Sequence, residues 1–303
     1  MSQLFKVTSS PHVKSKDSTS RIMLDVVLAL IPAGLFSIYF FGFDALVIIL
    51  LSVISCVGAE YVWQKLTNQP VTVKDFSALI TGILLAYNLP SNVPFWIPII
   101  GGVFAIILVK QFFGGLGQNF MNPALAARAV LLTSWAGHMS NFAIDGVSSA
   151  TPLTAISLGE GALPPLSDVF VGTIGGSLGE TSALFLLLGA AYLMYRGVIS
   201  WRIPITYVGT VFALTYLFGG NGLYEIFAGG LILGAFFMAT DYSTSPMTSK
   251  GHILFGIGCG LLTVVIRKFA GLPEGVSYAI ILMNLAVPLI DRYTRPRTFG
   301  EVA

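Results

Sequence analysis

The sequence predicts an all-α integral membrane protein with ten transmembrane helices, and three observations carry that reading. Hydrophobic residues make up 55% of the 303 residues and charged residues 10%, where a soluble domain carries about a quarter charged residues. Ten apolar segments recur, each long enough to cross or nearly cross the roughly 30 Å hydrocarbon core of a bilayer. The basic residues gather between segments on one face, as a topology under the positive-inside rule requires.

Residues 1–21 read as a polar cytoplasmic N-terminal segment with Lys6, Lys14, Lys16 and Arg21. Some twenty polar residues precede the first apolar run, so no cleavable signal peptide is expected. Apolar segments follow near 22–41, 45–66, 76–89, 95–113 and 122–136, and 22–136 forms a first five-helix repeat. A polar loop over 137–180 interrupts the series. Segments near 181–196, 201–218, 225–240, 252–270 and 276–292 form a second five-helix repeat over 181–292, and 293–303 is a cytoplasmic tail.

With the N-terminus inside, the cytoplasmic face also collects Lys65, Lys74, Lys110, Arg196, Arg202, Lys250, Arg292, Arg295 and Arg297. That makes thirteen of the sixteen Lys and Arg. Only Arg267 and Lys268 fall outside, and Arg128 lies within a segment. The flipped orientation puts thirteen positive charges on the wrong face. The 137–180 loop, which contains no Lys or Arg, is therefore expected to be extracytoplasmic.

Five crossings per half make the two halves run in opposite directions, as in inverted repeats. Gly82 and Pro94 in the third segment match Gly234 and Pro246 after the eighth, a faint sign of such a repeat. The third segment, Phe76 to Leu89, spans only about 21 Å at 1.5 Å per residue, and it stops at Asn88-Leu89-Pro90. The eighth stops at Thr240-Asp241. Broken helices at corresponding places point to a midplane site where freed backbone at Asn88 and Asp241 faces a ligand. Two ordinary helices with displaced ends account for the same pattern.

Other residues invite weighing. Arg128 sits two turns into the fifth segment and should face the bundle and pair with an acceptor; Asp241 and Asp25 are the candidates. A structural ion pair fits it as well as a redox or ion-path role. The stretch from Gly114 to Pro123, ending in Asn122-Pro123, has glycines that allow close backbone approach to a ring or phosphate. Lacking a strand–helix context, it reads more readily as a tight re-entrant turn. Asp75 can cap the third helix, and Glu180 reads as a favourable charge at a helix N-terminus. Cys56 and Cys259 stand alone, which argues against an iron–sulfur cluster within the chain. His12, His138 and His252 lack metal-ligand spacing. The net charge of +2 gives no sign of nucleic-acid binding.

Inside the long loop runs Asp145-Gly146-Val147-Ser148-Ser149-Ala150-Thr151-Pro152-Leu153. By composition it is a surface turn before a proline. It also resembles the flavinylation motif of the membrane components of Rnf and sodium-translocating NADH:quinone reductase complexes. The resemblance covers nearly the whole chain: S-P-H at Ser10 to His12, R-I-M-L-D at Arg21 to Asp25, S-A-L-I-T-G-I-L-L-A at Ser77 to Ala86, F-G-G-L-G-Q-N at Phe113 to Asn119, N-P-A-L at Asn122 to Leu125, G-G-S-L-G-E-T-S at Gly175 to Ser182, and A-T-D at Ala239 to Asp241. Within the NqrB/RnfD family it is closer to the RnfD branch, since the NqrB branch of the quinone reductases usually has a longer N-terminal region.

The resemblance implies a fold similar to urea and ammonium transporters, with FMN esterified to Thr151, which makes the chain a phosphoprotein, and in some relatives a non-covalent riboflavin. Asp145, Gly146, Ser148 and Ser149 then belong to the attachment motif. Asn88, Asn122, Arg128 and Asp241 are the membrane-embedded candidates for contacting a cofactor. It further implies a bacterial or archaeal cytoplasmic-membrane complex that couples electron flow between ferredoxin and NAD to sodium or proton translocation. Its partners would include a second covalent-flavin subunit and iron–sulfur subunits, and the chain would not be catalytic alone. Ser149 departs from the family's frequent glycine, while Ala150 and Thr151 match.

A threonine hydroxyl is a poor nucleophile at neutral pH without a base, and none flanks Thr151. Attachment is therefore expected from an external enzyme, which the resemblance implies is a flavin transferase acting on FAD with a divalent metal. The alternatives are the NqrB component of a sodium-translocating quinone reductase, a channel or transporter without redox role, and a scaffold without a cofactor.

Overall fold

The structure is a computed structural model that describes residues 18–144, 147–148, 151–158, 163–270 and 275–296. Ser18 opens the first helix, its hydroxyl accepting from the Arg21 N–H at 3.3 Å, and α1 runs Thr19–Phe41. Gly42 ends it at φ 77° and lets α2, Phe43–Leu66, start at once, because a left-handed backbone costs glycine nothing. Before α3, Ser77–Tyr87, the Asp75 carboxylate accepts from the Ser77 N–H at 2.8 Å and its hydroxyl at 2.6 Å. Asp75 thus bonds the first N–H of this helix, while the N-cap position itself is Phe76.

The next helix, α4, covers Trp96–Val103 and continues as a π-helix over Phe104–Lys110 and a 3₁₀ turn over Gln111–Phe113. Gly114, Gly115 and Gly117 then take positive φ in the tight turn that the sequence suggests. α5, Pro123–Ser134, has Asn122 as N-cap and proline in its first turn, a favoured start.

Between the membrane halves lie α6, Ala136–Met139, and a β1–β2 pair, Ala143–Ile144 with Val147–Ser148. Two short helices follow, α7, Pro152–Leu158, and α8, Leu166–Val171. The second half comprises α9, Ala183–Tyr195; α10, Arg202–Leu217; α11, Gly222–Phe227; α12, Leu231–Leu233, running into a π-helix over Gly234–Met238; α13, Ser249–Phe269; and α14, Gly275–Thr294. Helix therefore occupies each apolar segment read from the sequence. Among the described residues five helical stretches are long and apolar enough to cross a membrane: Thr19–Phe41, Phe43–Leu66, Trp96–Phe113, Ser249–Phe269 and Gly275–Thr294. The protein is a multi-pass membrane protein.

Small residues let these helices approach closely, as in other membrane bundles. A methyl at Gly82 would lie 2.7 Å from the Val53 Cα, and one at Gly189 would lie 2.0 Å from the Ala29 carbonyl. The first contact seats α3 on α2, where the Ser52 hydroxyl also donates to the Gly82 carbonyl at 2.7 Å. The second joins the halves through α1 and α9. That junction carries an ionic tie, since Asp25 accepts from Tyr192 at 2.8 Å and from Arg196 at 3.1 Å.

One expectation needs correction here. The end of α3 does not depend on a ligand for its freed backbone. Gly179 N–H donates to the Tyr87 carbonyl at 3.0 Å and Leu178 N–H to the Leu89 carbonyl at 2.9 Å. The loop before α9 thus satisfies the broken helix. At the other break, the Thr244 and Ser245 N–H groups donate to the Asp241 carbonyl at 3.3 and 3.0 Å. Both breaks are closed by chain, because unpaired backbone in an apolar interior is too costly to leave.

Candidate functional site

The sequence-predicted residues fall into three places. Thr151 lies at a cleft beside α7; Arg128 and Asn88 meet in the interior; Asn122 and Asp241 line a larger cleft. Asp145, Gly146 and Ser149 lie outside the described residues, and of Ser148 only the strand position is described.

The larger cleft is an open cavity of about 100 Å³ between α1, α3, the start of α5 and the π-helical end of the eighth segment. Its walls are Ile22, Met23 and Val26 on α1, Ile80, Thr81 and Leu84 on α3, and Phe236 and Phe237 opposite. Asn119, Asn122, Thr240 and Asp241 supply polar groups. An apolar cavity with a few convergent polar groups is the usual build of a small-molecule pocket. The Asp241 carboxylate is held by its own turn, accepting from the Ser243 hydroxyl at 3.0 Å and the Thr244 hydroxyl at 3.1 Å. Asn122 serves its own helix, its oxygen accepting from Ala124 and Leu125 N–H, and its amide donates to the Met238 carbonyl at 3.4 Å.

In the interior, Arg128 Nη1 lies 2.5 Å from Glu180 Oε1, 2.5 Å from Asn88 Oδ1 and 3.2 Å from Ser277 Oγ. The side chains of Arg128 and Glu180 are 4% and 5% exposed. The expected partners are thus overturned: Arg128 pairs with neither Asp241 nor Asp25. Asp25 is taken by Arg196, and Asp241 by Ser243 and Thr244. Glu180 is more than a charge at a helix start. It neutralises the only arginine of the first apolar half, across 52 residues of sequence, and no local spacing signals that. Asn88 reaches the eighth segment too, its amide 3.8 Å from Met238 Sδ.

Two further buried pairs carry no signal in the sequence. Lys110 donates to Glu60 at 2.9 Å and to the Ser77 hydroxyl at 2.6 Å. Arg267, which charge counting places outside, is buried 3.8 Å from Glu225 and donates to the Glu225 carbonyl at 2.9 Å.

The smaller cleft has a volume of about 20 Å³ and is lined by Thr151, Pro152, Leu153, Ile174, Gly175, Gly176, Ser177, Glu180, Thr181 and Gly229. Thr151 is partly exposed there. Its hydroxyl lies 2.7 Å from that of Thr154 and accepts from the Thr154 N–H at 3.3 Å. The hydroxyls of Ser177 and Thr181 are buried and have no hydrogen-bond partner among the described residues. Glu180 belongs both to this wall and to the interior pair, so the cleft at Thr151 connects through Glu180–Arg128–Asn88 to the break in α3.

The protein is thus a multi-pass helical membrane protein with two clefts lined by described residues. Comparison with known proteins narrows this. The model of the NQR2, RnfD, RnfE family matches residues 6–300, and the chain belongs to that family. Its relatives include the D components of three membrane complexes. It is 53% identical over 301 residues to that of the Na(+)-translocating ferredoxin:NAD(+) oxidoreductase complex of Acetobacterium woodii, covering 97% of this chain and 95% of that protein. It is 44% identical to that of the proton-translocating ferredoxin:NAD(+) oxidoreductase complex of Clostridium ljungdahlii, over 98% and 96% of the two chains. It is 37% identical to that of the ion-translocating oxidoreductase complex of Escherichia fergusonii, over 98% and 99%.

Proposed function

We propose that the chain is the flavin-carrying membrane component of an ion-translocating ferredoxin:NAD oxidoreductase complex, with FMN esterified to Thr151. The observation that carries this is a partly exposed Thr151 lining a small cleft, in a chain whose near-full-length relatives are named as parts of such complexes. An external transferase forms the bond from Thr151 oxygen to phosphorus as the bond to the AMP half of FAD breaks, and the hydroxyl proton leaves to a base on that enzyme. FMN, once attached, supplies one- and two-electron carriage. The chain's own residues tether it, keep charge neutral beneath it through Glu180 and Arg128, and separate it from the larger cleft.

The larger cleft suits a non-covalent riboflavin, with Phe236 and Phe237 offering apolar contact and Asn119, Asn122 and Asp241 offering hydrogen bonds. Other subunits of the complex, among them a second covalent-flavin subunit and iron–sulfur subunits, pass electrons to and from these sites. The relatives' names differ in the ion, so family membership alone leaves sodium and proton both open. The decisive experiment is the mass of the peptide spanning Asp145 to Leu153 from chain co-expressed with a flavin transferase. An FMN adduct on Thr151 supports the reading, and an unmodified peptide removes it.

The reading includes ten crossings of the cytoplasmic membrane in two inverted repeats, and one correspondence supports it. In the first half the cation ending the fourth segment, Lys110, bonds the first residue of the third helix, Ser77. In the second half the cation ending the ninth segment, Arg267, bonds Glu225 near the start of the eighth. Both termini are then cytoplasmic and the 137–180 region extracytoplasmic. Ser167 is exposed on α8, so Ser167→Cys should react with an impermeant thiol reagent in intact cells. Labelling only after lysis would reverse the topology.

Asp241 gives a separate prediction. Asp241→Ala should leave flavin on Thr151 yet lower coupled ion transport in the reconstituted complex about tenfold or more, the scale of losing hydrogen bonds to a charged group. Unchanged coupling would leave Asp241 as the tie that closes its own turn.

A further inference from the structure

The two clefts lie at opposite ends of α3 and α9. The larger one is lined by Ser77, Ile80 and Leu84 on α3 and by Leu193 near the end of α9. The smaller one is lined by Ser177 and Glu180, just before α9 starts, in the loop that pairs with Leu89 beyond the end of α3. A short run of contacts joins them. Asn122, on the wall of the larger cleft, donates to the Met238 carbonyl at 3.4 Å, and the Asn88 amide lies 3.8 Å from Met238 Sδ. Asn88 Oδ1 and Glu180 Oε1 each lie 2.5 Å from Arg128 Nη1. Arg128 therefore stands between the clefts. Its partners come from both halves, Asn88 from the first and Ser277 on α14 from the second, with Glu180 in the loop between them. In a fold with broken helices, this seam is where a pathway is expected to run.

A row of polar groups through a membrane bundle reads most simply as an ion path. The residue at its centre argues the opposite. A guanidinium does not lose its proton in proteins, so a proton passing along amides, hydroxyls and carboxylates stops at Arg128. A lysine or histidine at that point could give up its charge, and an arginine cannot. A sodium ion meets the same fixed positive charge where the side chains are almost fully buried and water screens poorly. Arginine barriers of this kind exclude cations and protons from other membrane pores. Glu180 supplies the matching negative charge from the wall of the smaller cleft, which lets the guanidinium stay buried without a mobile counter-ion. Space is also unequal on the two sides, about 100 Å³ in the larger cleft and about 20 Å³ in the smaller, the latter room for about one water molecule. We propose that Arg128 is a cation barrier: with Glu180 it closes the seam between the two halves to sodium ions and protons, so that neither crosses this chain from one cleft to the other. On the reading that the chain serves an ion-translocating complex, the transported ion takes another route, and the barrier keeps the gradient from running back through this bundle.

The test uses the full chain reconstituted in liposomes and reads passive entry of radioactive sodium and the decay of an imposed pH step. It needs neither flavin nor partner subunits, so its outcome is independent of the attachment at Thr151. The unsubstituted chain should be as tight as protein-free liposomes to both ions. Arg128→Gln combined with Glu180→Gln exchanges both charges for amides that can bond each other and leaves no unpaired ion, so the bundle should insert. This double variant should admit sodium about tenfold faster or more, equivalent to about 1.4 kcal/mol off the barrier. Glu180→Gln alone keeps the guanidinium and should stay tight to sodium. Arg128→Lys keeps the positive charge and the pair, and should stay tight to sodium as well. A double variant that inserts and remains tight overturns the proposal, because packing and not charge then closes the seam. Sodium entry through the unsubstituted chain, or through either single variant, overturns it too. If the double variant fails to insert, the two single variants carry the test: tightness in both upholds the barrier, and a leak in either removes it.

Discussion

Thr151→Asn should insert normally, keep α7 and carry no covalent flavin at all. Alanine is the poorer probe, because Thr151 also does local work. Its hydroxyl accepts from the Thr154 N–H at 3.3 Å and its carbonyl from the Ala155 N–H at 2.9 Å, which makes it the N-cap of α7. Removing such a cap costs about 0.5–2 kcal/mol, enough to confuse a missing flavin with a frayed helix. Asparagine caps as well as threonine, but its amide cannot take a phosphoryl ester. Thr151→Ser keeps both cap and hydroxyl and should keep the fluorescent band on a denaturing gel. Thr154→Val removes the neighbouring hydroxyl, 2.7 Å away, and should keep it too. A fluorescent Thr151→Asn chain would move the attachment elsewhere and leave Thr151 as a helix cap only.

The apolar segments are legible because membrane helices announce themselves by length and uninterrupted hydrophobicity. Their ends are less so. Hydrophobicity places the third segment at 76–89, but the helix covers Ser77–Tyr87, because Phe76 takes a left-handed φ of 64° and the chain beyond Tyr87 turns to meet Leu178. Hydrophobicity also makes the eighth segment one piece. It is split at Gly229, φ 78°, a break that the Gly229-Gly230 pair signals in the sequence. The region over 137–180 reads as polar linker and carries α6, a β-pair, α7 and α8, each too short for hydrophobic periodicity to reveal.

The site is legible in its residues and not in its pairings. Arg128 stands out because an arginine in an apolar run must be neutralised, yet the carboxylate that does so, Glu180, lies at the end of the loop between the two halves. Asp241 and Asp25 look like partners because each stands in or beside an apolar segment. Each is held by its own neighbours, Ser243 and Thr244 in one case and Arg196 and Tyr192 in the other. Ser177 and Thr181 carry no signal of their own. They matter because the fold brings the loop before α9 against Thr151, and sequence separation hides that approach.

Arg128→Ala should destabilise the protein by about 3–5 kcal/mol, the cost of leaving a buried partner charge uncompensated. Both side chains of the pair are almost fully buried, so water cannot take over the role of the missing guanidinium. The loss also strips a hydrogen bond from Asn88 at the end of α3 and one from Ser277 on α14, so three elements loosen together. Arg196→Ala is the internal control. Its pair with Asp25 joins α1 to α9, but the Arg196 side chain is 41% exposed, and solvent-screened pairs contribute about 1 kcal/mol or less. Unfolding titrations in mixed detergent should separate the two variants by several-fold in free energy. Glu180→Ala should match Arg128→Ala, and the double variant Arg128→Met with Glu180→Leu should cost less than the sum of the singles, since no unpaired charge remains. The apolar double variant also divides stability from function. It removes the charged link between the Thr151 cleft and the break in α3 without leaving a buried ion. If that chain folds, carries flavin on Thr151 and still supports full coupled transport, the pair is structural alone. If Arg128→Ala proves as mild as Arg196→Ala, the interior around Arg128 is wet, and the closed Arg128–Glu180–Asn88 cluster does not exist in the membrane.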